Sequence, residues 1–124
     1  MAFRRFEDLR IYQLAEQLAD NAWDIVKAWG YFEKETIGKQ FVRAVDSIGA
    51  NIAEGAGRGT PKENQRFIRI SRGSLNEAKY WLERAHQRNL IGDKDKASIK
   101  ERIDELGPGL NAYLKSFDKT KKNL

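Results

Sequence analysis

The sequence has no cysteine, one histidine and two prolines, and its longest uncharged run, Leu106–Leu114, is only nine residues. Each shortage excludes a class of function. Without cysteine there is no disulfide framework, thiolate metal site or cysteine nucleophile. One imidazole, His86, leaves little room for a zinc site or a Ser-His-Asp triad. A bilayer span needs about 20 apolar residues, so no membrane helix is expected. The first residues, Met1-Ala2-Phe3-Arg4-Arg5-Phe6-Glu7-Asp8, lack the apolar core of a signal peptide. These absences predict a soluble, cytoplasmic protein with no cofactor and no bound metal.

What is present is charge and helical periodicity. Of 124 residues, 33% are charged and 40% hydrophobic, which suits one domain with one core. The net charge of +5 is unevenly placed: residues 1–35 carry −2, residues 36–72 carry +4 and residues 73–124 carry +3. Such a bias is compatible with a polyanionic partner.

Apolar residues recur at steps of three and four, and nothing alternates with a period of two. The spacing predicts helices over about 8–29, 36–54, 61–89 and 94–117, with a frayed tail at 118–124. Short connectors then give an all-α, antiparallel up-down four-helix bundle. Gly30-Tyr31-Phe32-Glu33-Lys34 reads as the first connector. Gly55-Ala56-Gly57-Arg58-Gly59 reads as the second, its glycines supplying the positive φ of a helix stop. Thr60-Pro61-Lys62-Glu63 is a capping box with proline at the first helical position. Asp93 is placed as the last N-cap. Helical phase survives Gly107-Pro108-Gly109, which predicts a kinked fourth helix rather than a stop. Ser71 and Ser74 fall on the seam of the third helix, where each hydroxyl is expected to bond to its own helix.

The first helix has an apolar arc of roughly 180°, against the roughly 100° needed to cover one core. That surplus points to a homo-oligomer, with Ile11, Leu14, Leu18 and Trp29 at the interface. The second helix carries a polar row, Gln40, Arg43, Ser47, Asn51 and Glu54. Arg43 and Glu54 stand about 16 Å apart on the helix and cannot pair with one another. The row therefore reads as a buried or intersubunit network, a solvated face or a ligand contact. On the third helix Lys62, Arg66 and Arg69 succeed one another by a turn, with Arg72, Arg84 and Arg88 towards the edges and Arg58 in the preceding glycine loop. A cationic row of this kind can follow a phosphate backbone; it can also be a solvated face offset by Glu63, Glu77 and Glu83. Tyr80 shares the face. Glu83 and His86 form one Glu-x-x-His pair where a bundle metal site wants two, and no serine is arranged as a nucleophile.

The string Gln40-Phe41-Val42-Arg43-Ala44-Val45-Asp46-Ser47-Ile48-Gly49-Ala50-Asn51-Ile52-Ala53-Glu54-Gly55-Ala56-Gly57-Arg58 is distinctive. With Phe6-Glu7-Asp8-Leu9 and Arg72-Gly73-Ser74-Leu75-Asn76-Glu77, it resembles the four-helix-bundle proteins of the 23S rRNA intervening-sequence family over residues 6–91. The resemblance implies a ring-like homopentamer, in a family for which no enzymatic activity is established. It also brings in a relative, the accessory variability determinant of diversity-generating retroelements, a basic pentamer that engages nucleic acid and a reverse transcriptase. Two departures stand out: Val42 replaces the first of two adjacent arginines, and no proline precedes the second helix. Two readings follow. One is a non-enzymatic oligomer that binds RNA or DNA through the third helix and the carboxyl-terminal tail. The other is a scaffold that meets a reverse transcriptase or another protein without touching nucleic acid.

Overall fold

The structure, a computed structural model, describes residues 5–122 of the chain, with side chains as far as residue 118. A short 3-10 turn, Phe6–Asp8, leads into α1, Arg10–Val26. Helix α2, Tyr31–Glu33, passes through a stretch of π-helix, Lys34–Gly38, into α3, Lys39–Ala56. Helices α4, Pro61–Gln87, and α5, Asp93–Lys122, complete the chain, and no strand occurs among the described residues.

Four rods therefore pack together: α1, the joined α2–α3, α4 and α5. The packing pairs are α1 with α3, α3 with α4, α4 with α5 and α5 with α1, a closed square. Every pair runs antiparallel. Arg10 reaches Glu105 and Asn21 reaches Ser98 across α1 and α5, while Ser47 meets Ser74 across α3 and α4. Leu18, Phe41, Ile48, Ile52, Ile68, Leu75, Ile99, Leu106 and Leu110 are fully buried where the four apolar seams meet.

Several local expectations change. Of the residues read as the first connector, those from Tyr31 onward are helical, so the second rod begins at Tyr31 and not Thr36. The π-turn carries the chain over a close crossing, where a Cβ on Gly38 would lie 2.8 Å from Val26 Cγ1 and 3.1 Å from the Glu33 carbonyl oxygen. No described glycine has positive φ; α3 ends with Gly57 still right-handed at φ −84°. The left-handed residue is Asn89, φ 62°, at the end of α4. There Leu90 N–H donates to the Ala85 carbonyl at 2.9 Å and Asn89 N–H to the His86 carbonyl at 3.1 Å. These two bonds make a Schellman stop with asparagine in glycine's usual place.

Thr60 caps α4 as expected, its hydroxyl accepting from Glu63 N–H at 3.2 Å. Asp93 does not cap α5. It is the first helical residue, and its carboxylate lies 2.7 Å from His86 Nε2. Helix α5 passes unbroken through Pro108 and on to Lys122, so residues 118–122 are helical where fraying was expected. The side chains of Lys119, Lys121 and Lys122 lie outside the described residues.

The proposed oligomer interface needs the largest correction. Ile11, Leu14 and Leu18 are buried within the single chain. Trp29 is half-buried, its indole N–H donating to the Leu90 carbonyl at 3.1 Å. A bundle helix has two neighbours, here α3 and α5, so its apolar stripe must be wider than one core face requires.

At the α3–α4 corner a Cβ on Gly55 would lie 2.9 Å from Phe67 Cβ and 3.1 Å from the Asn64 carbonyl oxygen. Neither atom can swing aside. Gly73, inside α4 and exposed, has nothing within 4 Å of its would-be Cβ. Gly55→Ala is expected to destabilise by about 1–3 kcal/mol through overpacking, and Gly73→Ala to stabilise by about 0.5–1 kcal/mol by removing a helix-interior glycine. Urea unfolding midpoints of the two variants, moving in opposite directions, check this.

Candidate nucleic-acid interface

Winding α4 at 100° per residue sets Phe67, Ser71, Ser74 and Ala78 inward and the basic residues outward. The cations fall into two groups. Arg58 and Arg66 are engaged. Arg58 Nη2 donates to Glu54 Oε1 at 2.6 Å, and Arg66 Nη2 to Glu63 Oε2 at 3.2 Å. Both guanidiniums also lie over the Phe67 ring, 4.9 Å and 4.6 Å from its centroid. They cover an aromatic side chain at the helix corner.

Lys62, Arg69 and Arg88 are exposed, and their side chains make no hydrogen bond or ion pair among the described residues. Arg72 Nη1 donates to Asn111 Oδ1 on α5 at 3.1 Å, and half-buried Arg84 donates to Gln87 Oε1 at 2.8 Å. Neither faces a carboxylate in these bonds. Tyr80 shares the angular position of Lys62 and is 56% exposed, its ring edge-on to Trp81.

The part of this surface missing from the sequence reading comes from α5. Gln65, Arg69 and Arg72 face Asn111, Leu114, Lys115 and Asp118 across a cleft of about 260 Å³. Both helices supply residues at steps of three and four, so the signal was in the sequence. Which α5 row faces α4 depends on packing.

The glycine loop offers no phosphate cradle. Gly57 N–H donates to the Ala53 and Glu54 carbonyls and Arg58 N–H to the Gly55 carbonyl, so these donors close the end of α3. The polar row on α3 divides. Asn51 Nδ2 donates to the Ser47 carbonyl and hydroxyl at 2.8 Å and 3.0 Å, and Ser74 Oγ donates to Ser47 Oγ at 3.0 Å. Ser71, fully buried, donates to the Ile48 carbonyl at 2.8 Å. Both serines therefore bond across to α3, where bonds within α4 were expected. Gln40 and Arg43 are exposed, and Glu54 is taken by Arg58 of the loop that follows α3.

At the α4–α5 corner Lys96 reaches Glu83, and its hydrogen bond holds that carboxyl below the usual range. His86 pairs with Asp93, not with Glu83. Among the described residues no three His, Cys, Asp or Glu side chains are placed to hold one metal ion. No described helix is long and apolar enough to cross a membrane.

On the opposite edge of the square, α1 and α3 enclose a groove lined by Tyr12, Glu16, Asp20 and Asp46 above the small residues Ala15 and Gly49. The Tyr12 hydroxyl donates to Glu16 Oε2 at 3.4 Å. Burial, with the Asp20 carboxylate in support, raises Asp46 above the usual carboxylate range. The molecule is thus acidic along α1–α3 and basic along α4–α5.

A family model described as 23S rRNA-intervening sequence protein matches residues 7–112. No curated protein matches the chain. Among solved structures, the chain is similar to a Bacteroides thetaiotaomicron protein of unknown function from the S23 ribosomal protein family. The TM-score is 0.76 at 24% identity, over 85% of this chain and 98% of that one, a likeness of fold.

The raised Asp46 has a measurable consequence. Ionised Asp46 opposes folding, so its unfavourable contribution appears as pH rises through the carboxylate range and vanishes where the group is protonated in both states. Asp46→Asn is expected to raise the thermal midpoint at pH 7. The variant and parent midpoints should converge below the ordinary aspartate pKa of about 3.9.

Proposed function

The chain belongs to the 23S rRNA-intervening sequence protein family, and from that premise we propose that it is a non-enzymatic bundle protein that binds RNA or DNA through the outer face of α4 and the adjoining ridge of α5. The observation that carries this reading is a row of cations without carboxylate partners along α4 and the adjoining ridge of α5, longer than the unpaired Lys34 and Arg43 of the second rod. Arg10, Lys27, Lys39, Lys96 and Lys100 each have a carboxylate within 4.0 Å. Lys62, Arg69, Arg72, Arg88 and Lys115 do not, among the described residues. Charges left uncompensated along one side, with acids collected on the opposite edge, orient the molecule in the field of a polyanion. Affinity comes from released counterions, so sequence preference is slight.

Self-association extends that face. Trp23, Tyr31 and Phe32 are 57%, 82% and 72% exposed. Beside them Trp23, Val26 and Val42 line an apolar groove of about 470 Å³ rimmed by Lys27, Lys34, Lys39 and Glu35. With Asp24 and Glu33 nearby, acids and bases balance around an aromatic centre, which suits contact with a second copy of the same surface. Five copies is the number that the resemblance implies, and repetition of a weak basic face would multiply its avidity.

Two measurements test the reading. Binding to a structured rRNA fragment should weaken steeply with salt. Arg69→Gln combined with Arg72→Gln should flatten the slope of log K against log salt by about 1.4–1.8, the value for two phosphate contacts. Salt-independent binding, or an unchanged slope in the double variant, would overturn it. Light scattering at micromolar concentration should give an oligomer that Trp23→Lys with Phe32→Lys converts to monomer; a monomeric parent protein would remove self-association from the proposal.

A further inference from the structure

The outer face of α4 carries a ridge at steps of four residues: Arg72, Asn76, Tyr80, Arg84 and Arg88. Each member stands about 6 Å along the helix and about 40° around it from the last, so the ridge runs obliquely over about 24 Å. Cations hold its two ends and an aromatic ring its middle.

That ring is accessible. Phe67 of the same helix is buried and Trp81 half-buried, whereas Tyr80 is 56% exposed. Its hydroxyl has no hydrogen bond among the described residues. The ring meets Trp81 edge-on, with 4.9 Å between centroids at 77°. A T-shaped contact occupies at most one face of the phenol and leaves the other open.

Gly73 lies two turns before Tyr80 and about 20° around the helix from it. A Cβ there would meet nothing within 4 Å, so no packing contact calls for glycine at this exposed position inside α4. A helix-interior glycine costs stability, and one use that offsets the cost is close approach of a ligand to the backbone. Long helical side chains lean towards the helix N-terminus, which carries the Tyr80 ring over Asn76 and towards the strip left bare at Gly73. Ring, amide and bare backbone make a notch in the ridge.

The charges around it separate into ends and centre. Arg72 keeps donors free beyond its bond to Asn111, and Arg84 beyond its bond to Gln87. Of the nearby acids, Glu83 is held by Lys96, and Glu77 is exposed with no ion pair among the described residues. A carboxylate at Glu77 repels phosphate, so the centre of the notch suits the uncharged face of a base and the ends suit the backbone on either side of it.

We propose that Tyr80 and the bare backbone at Gly73 form a stacking notch for one unpaired nucleobase, with Arg72, Arg84 and Arg88 holding the flanking phosphates. The inference rests on the nucleic-acid reading of α4 and deepens it: the ligand is a single strand or a loop, because a paired base keeps its faces in its own stack. Stacking on one ring tolerates every base, so the notch recognises unpaired character and not sequence.

Fluorescence anisotropy of the full chain tests it, with a single-stranded DNA and a strand of equal length built of abasic sites, at matched salt. Both strands carry the same phosphates, so their difference reads the bases alone. The parent protein should bind the DNA about tenfold more tightly, in the lower part of the range for one base stacked on an aromatic ring. Tyr80→Ala should erase that difference without changing the slope of log K against log salt, and Tyr80→Phe should keep it. Gly73→Gln fills the notch: its thermal midpoint should rise while its affinity for the DNA falls to the abasic level. A parallel series with RNA of the same sequence separates the two sources of an unpaired base, and a loss in Tyr80→Ala confined to one series names that nucleic acid as the ligand. Equal, salt-dependent affinity for all three strands, a preference that survives Tyr80→Ala, or a stabilised Gly73→Gln protein that binds like the parent would overturn the notch and leave the basic face standing. Binding of none of the strands would overturn both.

Discussion

Along the α3–α4 seam the two backbones come so close that only small or hydroxylated residues fit between them. Gly55 lies against Asn64 and Phe67, and Ser71 bonds directly to the Ile48 carbonyl. Ser74, Ser47 and Asn51 form a short chain of hydrogen bonds beside it. Close approach on this scale fixes register as well as distance, because each hydroxyl meets its acceptor in only one alignment. Ile48, Ile52, Ile68 and Leu75 then fill the interior at matched heights. Sliding the pair by a turn would bury the serines without partners, at a cost comparable to losing several core contacts.

That register also decides where the charges go. With Phe67, Ser71 and Ala78 turned inward, the arginines and lysines of α4 have only the outer surface left. Some are absorbed locally: Arg58 and Arg66 shield Phe67 and neutralise Glu54 and Glu63. Arg69 and Arg72 lie along the boundary with α5, facing Lys115 instead of the acids that gather around Asp46 on the far edge. Segregating charge across a small bundle costs some self-repulsion on each side. Its return is a surface that attracts anions from a distance, with the acidic groove turned away.

Local chemistry was the readable part. The Thr60 cap, the continuation of α5 through Pro108 and the inward stripes of Phe41, Val45 and Ile48 all follow from neighbours within one or two turns. Other misreadings have physical causes too. The stop at Asn89 looks like ordinary loop sequence, because asparagine enters the left-handed region less often than glycine and needs the Leu90 and Asn89 amide bonds back to α4 to hold it there. Gly30-Tyr31-Phe32-Glu33-Lys34 was read as a connector, yet the chain is helical from Tyr31 and the π-turn carries it over the crossing at Gly38. The wide stripe of α1 was taken for a surface awaiting another molecule, when two neighbouring helices use it.

From the sequence alone came the number of helical rods, the inward face of each and the basic character of α4, because periodicity and charge are properties of a single helix. Tertiary structure decided which cations are already paired, that Ser71 and Ser74 serve α3, and that Trp23, Tyr31 and Phe32 remain outside. It also decided that Arg69 and Arg72 share a cleft with Lys115 and Asp118. Those outcomes depend on the rotation and offset of one helix against another. A single amphipathic stripe leaves both open until the close α3–α4 contact and the α5 packing fix them.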